Sequence, residues 1–291
     1  MSSNPVFSRI EREAEHGYAG FRDRGAQPPQ PAQPSTAGWA ATDQLSTQQL
    51  EQMYQQQPAS PVQMGRVTLD DVVMKTLGLF SLVLVFGAVG WVLTPQLGPV
   101  LWMGGIALTL VLGLVIAFKK TISVPLIVSY AVVEGLLVGS VSHYYSVAFD
   151  APRTPVFEGI VAQAVLATLS VFVGMFIAYR VGLIKVTSKF RRIVTMALFG
   201  YVIFAVINLV YALVAGVPFG IGGTGALGIG LSLFAVGLAS LCLALDFDSI
   251  EYAIKAGAPQ KYSWLLAHGL IVTLVWLYLE LLRLIARLRS E

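Results

Sequence analysis

Long apolar runs separated by short polar links make up the chain after residue 66. A helix needs about 20 predominantly apolar residues to cross the hydrocarbon core of a bilayer. Seven runs have or approach that length, so we predict an all-helical membrane protein with a bundle of seven transmembrane helices. The first two runs are divided by TPQLGP, whose prolines favour a turn. The predicted spans are Thr76–Val92, Val100–Phe118, Ile122–Val147, Gly159–Tyr179, Ile193–Ala215, a sixth that ends within Asp246–Ala253, and a seventh within Trp264–Leu288.

The first 66 residues differ from the rest in composition. They are rich in Gln, Pro, Ala and Ser, as in the stretch AQPPQPAQPSTAG. Such a segment buries too little apolar surface to offset the entropy lost on ordering it. We therefore predict a disordered cytoplasmic tail over residues 1–66 and a transmembrane domain over residues 67–291.

The overall composition agrees with this class. Of the 291 residues, 56% are hydrophobic and 12% are charged, whereas soluble domains carry about 25% charged residues. The net charge of +3 fits loops that face anionic lipid, and no basic stripe with interleaved aromatic residues indicates nucleic-acid binding. The single cysteine, Cys242, excludes an intrachain disulfide and a CxxC site. We expect membrane lipids as partners, no nucleic acid and no cofactor.

The distribution of Lys and Arg predicts the orientation in the membrane. Basic residues concentrate in the tail and in every second link, and cytoplasmic segments carry this excess. The N-terminus is therefore expected on the cytoplasmic side of the cell membrane. Arg283, Arg287 and Arg289 are an exception, although snorkelling can carry the last two to the interface. A six-span or re-entrant arrangement would remove the exception.

Five ionisable residues lie inside or at the ends of the predicted spans: Glu134, His143, Asp246, Asp248 and Glu280. A charge in the bilayer interior costs at least ~2.5–3.5 kcal/mol on insertion scales, so these residues are candidates for function. Glu134 lies midway along the third span, where it has a functional role or ties helices together. His143 lies near the outer end of that span, where histidine and tyrosine are common interfacial residues.

Asp246 and Asp248 follow a stretch, residues 193–245, that contains no Asp, Glu, Lys or Arg. Residues two positions apart differ by about 200° around a helix, so the two aspartates cannot face the same interior. We expect Asp246 to face the bundle and Asp248 to face the cytoplasmic interface. Glu280 is placed to form an i,i+3 ion pair with Arg283.

Enzyme signatures are absent from the sequence. It contains no HExxH, GxSxG or GxxxxGK[ST] pattern, and the glycine-rich link at Gly216–Gly230 lacks the lysine of a phosphate-binding loop. We therefore predict that the protein is not an enzyme.

Two acidic elements close the sixth and seventh spans, LDFDSI at Leu245–Ile250 and LYLELLRLI at Leu277–Ile285. In this order, and with SHYYS at Ser142–Ser146 and the basic pair Lys119–Lys120, they resemble the bacterial branch of the Bax inhibitor-1 family. The resemblance extends over about residues 70–289. It does not include the tail.

The resemblance implies a central helix surrounded by six others and a pH-sensitive calcium leak across the membrane. In that family two acids on the last two long helices form the proton sensor, and they correspond to Asp246 and Glu280. Arg283, Glu134 and Asp248 are candidate modulators of this sensor. The sequence assigns no metal ligands.

The chain departs from the family pattern around the second acid. That acid is Glu280 rather than an aspartate, the link between the two acidic elements is longer, and Arg283 and Arg287 follow it. Added positive charge near the acids favours their ionised forms and opposes the passage of cations.

The depth of the two acids depends on where their helices begin. If the seventh helix begins at Trp264, Glu280 lies about 24 Å along it, far from Asp246. The acids meet if the sixth helix begins at 228–230 and the seventh near His268, and the resemblance favours that register.

The leading hypothesis is a leak channel for calcium or another cation, gated by a proton shared between Asp246 and Glu280. A proton-coupled cation antiporter is an alternative that would use the same acids as its relay. A membrane scaffold is a second alternative, which would bind a protein partner through residues 1–66.

The orientation predicts that Ser188, in the basic link Arg180–Arg192, lies on the cytoplasmic side. In a Cys242→Ser background, Ser188→Cys should resist a membrane-impermeant thiol reagent in intact cells and react after permeabilisation. Labelling in intact cells would reverse the predicted orientation.

Overall fold

The computed structural model describes residues 65–217 and 219–290, so nearly all of the predicted tail lies outside the described residues. Within these ranges the all-helical class is confirmed, and six helices are long and apolar enough to cross a membrane. In chain order the elements are α1 (Leu69–Phe118), α2 (Val124–Phe149), a short 3₁₀ helix (Val156–Glu158), α3 (Ile160–Arg180), α4 (Ser188–Ala215), α5 (Ala226–Lys255) and α6 (Tyr262–Arg289).

The first two predicted spans form one continuous helix in the structure, Leu69–Phe118, which has 50 residues. Pro95 and Pro99 lie inside this helix. A proline removes its own backbone hydrogen bond and kinks a helix without necessarily ending it. The remaining predicted spans lie where the structure has helices, and α4 begins at Ser188 rather than at Ile193.

The two halves of α1 pack on α2 in opposite directions. In the first half of α1, residues later in the sequence contact residues later in α2. In the second half, residues later in the sequence contact residues earlier in α2. The pairs are Val83–Gly135 and Gly87–Gly139 in the first half, and Gly105–Leu137 and Gly113–Tyr130 in the second. A straight helix of 50 residues would be about 75 Å long and could not make both sets of contacts. The chain therefore folds back on itself near Pro95 and Pro99.

Helix α6 is the most enclosed of the helices. In its most apolar stretch 83% of the residues are buried, compared with 6% in α1 and in α4. Helices α1, α2, α3 and α5 all pack directly against it. The side chains of α1 and α4 instead face outward, as expected of helices surrounded by lipid.

Helix α4 contacts the rest of the protein chiefly through α5. Val194 is its one fully buried residue. Three polar contacts hold it along its length: Arg191 to Asp248, Tyr201 to Glu280, and the Asn208 side-chain oxygen to the amide of Ile221. Because these contacts are polar and few, α4 is the helix that can separate from the bundle with the smallest loss of packing.

The beginning of α1 is tied to the link between α5 and α6. The Val67 amide donates to the Ala258 carbonyl at 2.8 Å, and the Gln260 amide donates to Gly65 at 2.7 Å. Gly257, with φ of +66°, provides the left-handed turn that the link requires. Gly65 and Arg66, which the sequence analysis assigns to the tail, therefore belong to the ordered domain.

Gly139→Leu should destabilise the protein, because a Cβ atom at this position would lie 1.8 Å from the Gly87 carbonyl oxygen. Overpacking typically costs about 1–3 kcal/mol, and a clash with backbone cannot be relieved by a rotamer change. Gly104→Leu is the control, since nothing lies within 4 Å of a Cβ there. Thermal unfolding in detergent should show a lower midpoint for Gly139→Leu alone. Equal midpoints would contradict the close packing of α1 on α2.

Candidate functional site

Asp246 lies on the buried face of α5. Together with Ala239, Leu243 and Ile250 it forms a stripe at helical spacing, and its side chain is 2% exposed. The carboxyl faces the hydroxyl of Thr273 on α6. Its Oδ2 atom has no hydrogen-bond partner among the described residues. Buried polar atoms are normally paired, so this oxygen is a candidate for function.

Asp248 has different surroundings, as its spacing from Asp246 requires. Its carboxylate pairs with the guanidinium of Arg191 at the beginning of α4. Nearby, Glu251 accepts a hydrogen bond from the Tyr179 hydroxyl at 2.6 Å. These groups join α3, α4 and α5 at one end of the bundle, the end at which Asp246 approaches the interior.

Glu280 is 4% exposed and well supplied with donors. Arg283 Nη1 donates to both carboxylate oxygens, at 2.9 and 2.8 Å, so the i,i+3 ion pair is present. The Tyr201 hydroxyl of α4 donates to Oε1 at 2.5 Å, and Trp276 Nε1 donates to the same atom at 3.3 Å. Glu280 thus links the most enclosed helix to the most weakly attached one.

The structure does not bring Asp246 and Glu280 into contact. Helix α6 begins at Tyr262, earlier than the register that the resemblance favours, so Glu280 lies about 27 Å along it. Asp246 lies level with Thr273, which is seven residues and about 10 Å away from Glu280. The hypothesis of a proton shared between Asp246 and Glu280 is therefore not supported by a hydrogen bond between them. Seven residues are nearly two full turns, so Thr273, which Asp246 faces, and Glu280 lie on the same face of α6.

Trp276 lies between the two acids on that face. Its indole packs against a cluster that contains Leu238, Cys242 and Leu245 of α5. Its ring centroid is 5.5 Å from that of Tyr201. Apolar side chains therefore fill the space between the Asp246 level and the Glu280 level.

Glu280 is one of the residues that line a cavity of about 390 Å³. The cavity lies between α2 and α4, and the residues that line it also come from the second half of α1 and from α5 and α6. Arg283 and Arg287 also lie on its wall, together with Tyr201 and Asn208 of α4. The side chain of Arg283 is 36% exposed, so the cavity is open to its surroundings.

A family model described as Bax inhibitor 1 like matches residues 4–290 of the chain. The chain belongs to this family. The match includes the N-terminal segment, which the resemblance inferred from the sequence leaves out. Comparisons with curated proteins and with solved structures gave no match.

This Bax inhibitor 1 like chain carries a third buried acid, Glu134, on α2. The Tyr130 hydroxyl donates to Glu134 Oε1 at 3.0 Å, while Oε2 has no partner among the described residues. The Tyr130 ring in turn packs edge-on against the ring of His268, which is 4% exposed. No close backbone approach joins α2 to α5, and Glu134 and Asp246 lie on these two different helices.

The other residues singled out in the sequence, His143, Arg287 and Arg289, make contacts within the fold. His143 packs edge-on against Trp91, with ring centroids 5.2 Å apart, where α1 folds back. Arg289 pairs with Asp150 at 2.5 Å. Arg287 is 3% exposed, so its side chain is buried inside the protein and does not snorkel to the interface. Among the described residues no three His, Cys, Asp or Glu side chains form a group that could hold a metal ion.

Sequence reasoning missed Tyr201, Trp276 and His268. Each side chain carries a polar atom within an apolar stretch of helix. The sequence contains this signal, but a search for charged residues does not detect it. Tyrosine and tryptophan bury a large apolar ring together with one donor, and a buried donor needs an acceptor. Both Tyr201 and Trp276 donate to Glu280, and only the packing of the helices brings Tyr201 to this partner.

Tyr201→Phe should lower the stability of the protein, because it removes one donor from the buried Glu280 carboxylate. Hydrogen bonds to charged groups contribute about 1.5–3 kcal/mol. Tyr211→Phe, on an exposed part of the same helix, is the matched control. Chemical unfolding in detergent measures both, and equal stability of the two variants would show that the contact between α4 and α6 contributes nothing.

Proposed function

We propose that this protein is a pH-sensitive leak channel for cations, with calcium as the ion that the family resemblance indicates. The pathway follows the face of α6 that carries Thr273, Trp276 and Glu280. Asp246 and Glu280 act along it in series rather than as a contacting pair. One observation carries the proposal: two buried carboxyls, Asp246 of α5 and Glu280 of α6, lie along one face of the most enclosed helix, and Glu280 also lines a cavity.

We further propose seven membrane crossings around a central α6, with a cytoplasmic N-terminus in the cell membrane. The reversal of contacts along α1 supports two crossings by that helix. The basic link Arg180–Arg192 then lies in the cytoplasm, and the cavity beside Glu280 opens toward the outside. In this orientation Asp246 is the acid nearer the cytoplasm.

The arrangement corresponds to a closed pathway. Trp276, Leu238 and Cys242 fill the space between the two acids. Arg283 neutralises Glu280, so a cation entering the cavity meets no free negative charge. Opening therefore requires that α4 and its Tyr201 move away from α6.

Protonation of Glu280 provides the link to pH. Hydrogen bonds to an ionised carboxylate are roughly twice as strong as those between neutral groups. Protonation weakens the contacts of Tyr201 and Arg283 with Glu280, and α4 then separates more readily from the bundle. The leak rate is therefore expected to rise as the pH falls.

Calcium flux into proteoliposomes, measured with an enclosed dye at several pH values, tests the proposal. Glu280→Gln resembles the protonated acid and should leak rapidly at every pH. Asp246→Asn removes the second carboxyl from the pathway and should reduce flux at every pH. Glu158→Gln, on a 3₁₀ helix without buried residues, is the control and should behave as the parent protein.

The same assay separates the alternatives. An antiporter would move calcium only with a proton gradient across the vesicle, and a scaffold would move none. Flux that is unchanged in Asp246→Asn, together with an unchanged pH dependence in Glu280→Gln, would contradict the proposal.

A further inference from the structure

Arg287 is a buried cation without an acidic partner among the described residues. Its side chain is 3% exposed, whereas the neighbouring arginines of α6 are paired, Arg283 with Glu280 and Arg289 with Asp150. Buried charges in proteins are normally paired with opposite charge, because transfer of an isolated ion out of water is costly. The absence of a counter-charge around Arg287 therefore needs an explanation.

Neutral oxygen atoms satisfy part of the guanidinium. Nη1 donates to the Gly228 carbonyl and to the Ser232 hydroxyl, the latter at 2.6 Å, and Nη2 donates to the Phe219 carbonyl at 3.2 Å. The Phe219 ring also lies beneath the guanidinium carbon, at 5.4 Å. These contacts hold the plane of the group in one orientation.

Two of the five donors of Arg287 remain. Nε has no hydrogen-bond partner among the described residues, and Nη2 carries a second N–H group. Nε–H and Nη2–H form one edge of the planar fork with which arginine binds a carboxylate or a phosphate through two parallel hydrogen bonds. Among the described residues Nε–H is therefore a buried donor of Arg287 without a protein acceptor.

The cavity that Arg287 helps to line has an excess of positive charge. Its ionisable wall residues are Glu280, Arg283 and Arg287, one acid against two bases. Its volume of about 390 Å³ is large compared with the roughly 30 Å³ that one water occupies in the liquid. The cavity therefore has room and charge for a small anion together with water.

We propose that this cavity is an anion-binding site, in which Arg287 and Arg283 hold a phosphate or carboxylate group. Bound there, the anion neutralises the excess charge and competes with Glu280 for Arg283. Two sources supply this chemistry: a free anion in the outer aqueous phase, and the phosphate of a lipid that reaches the cavity between α2 and α4. The proposal does not depend on ion conduction.

The test uses the purified full-length protein in detergent, at constant ionic strength set with sodium chloride. Trp102 and Trp276 line the cavity, so their fluorescence reports binding. One titration uses inorganic phosphate, and a parallel one uses a short-chain phosphatidic acid. Arg287→Gln should weaken binding at least about tenfold, because it removes a positive charge from the wall of the cavity.

A second variant leaves both arginines intact in case Arg287→Gln fails to fold. Ala205 lines the cavity from α4, so Ala205→Phe should fill the cavity and abolish binding. The adjacent Val206 is 57% exposed, and Val206→Phe is the matched control that should bind as the parent protein does. Arg289→Gln, outside the cavity, should also bind normally.

Saturable binding of inorganic phosphate that is lost in Ala205→Phe supports the site and assigns its anion to the aqueous phase. Binding of phosphatidic acid alone, with the same loss, supports the site and assigns it to a lipid phosphate. Absence of binding by both probes would overturn the proposal, and so would binding that Ala205→Phe leaves unchanged.

Discussion

The packing of four helices around α6 is the constraint on which the rest of the structure depends. Because α1, α2, α3 and α5 all contact it, nearly every side chain of α6 must find a partner inside the protein rather than in lipid. Polar side chains on such a helix cannot reach water by a change of rotamer. Each one must be paired, face a cavity or remain unsatisfied.

The polar groups along α6 meet this requirement in different ways. Glu280 obtains three donors, and one of them, Tyr201, comes from the weakly packed α4. Asp246 keeps an oxygen without a partner opposite Thr273, and Arg287 keeps an unpaired Nε. The satisfied acid thus holds a helix in place, whereas Asp246 and Arg287 each keep a buried polar atom without a partner among the described residues.

The sequence predicts those features that depend only on the length of apolar runs and on the spacing of residues along a helix. Apolar runs of sufficient length predict most of the helices, and the 100° step of a helix predicts that Asp246 and Asp248 face different surroundings. At TPQLGP the chain reverses direction, but the helix does not end there, because a proline removes one hydrogen bond and tertiary contacts decide whether the helix continues. Here the contacts of α2 with both halves of α1 determine the path of the chain, and a hydropathy profile carries no information about these contacts.

The depth of the two acids could not be predicted for a similar reason. Helix α6 begins at Tyr262 because the preceding link is held by hydrogen bonds to Gly65 and Val67, which lie nearly 200 residues earlier in the sequence. A shift of a few residues in such a helix start moves Glu280 by several ångströms relative to Asp246. The burial of Arg287 likewise depends on oxygen atoms of Phe219, Gly228 and Ser232, whose proximity only the fold establishes.

The central claim is that Trp276 closes a pathway between the two acids, and the native cysteine tests it most directly. Cys242 is the only cysteine of the chain and packs in the cluster with Trp276, one turn before Asp246. A small membrane-impermeant thiosulfonate is added to the outside of intact cells, and modification is read by mass spectrometry. The account predicts no modification of the parent protein or of Trp91→Ala, and modification of Trp276→Ala. Modification of the parent protein as fast as that of Trp276→Ala, or none in Trp276→Ala, would contradict the claim.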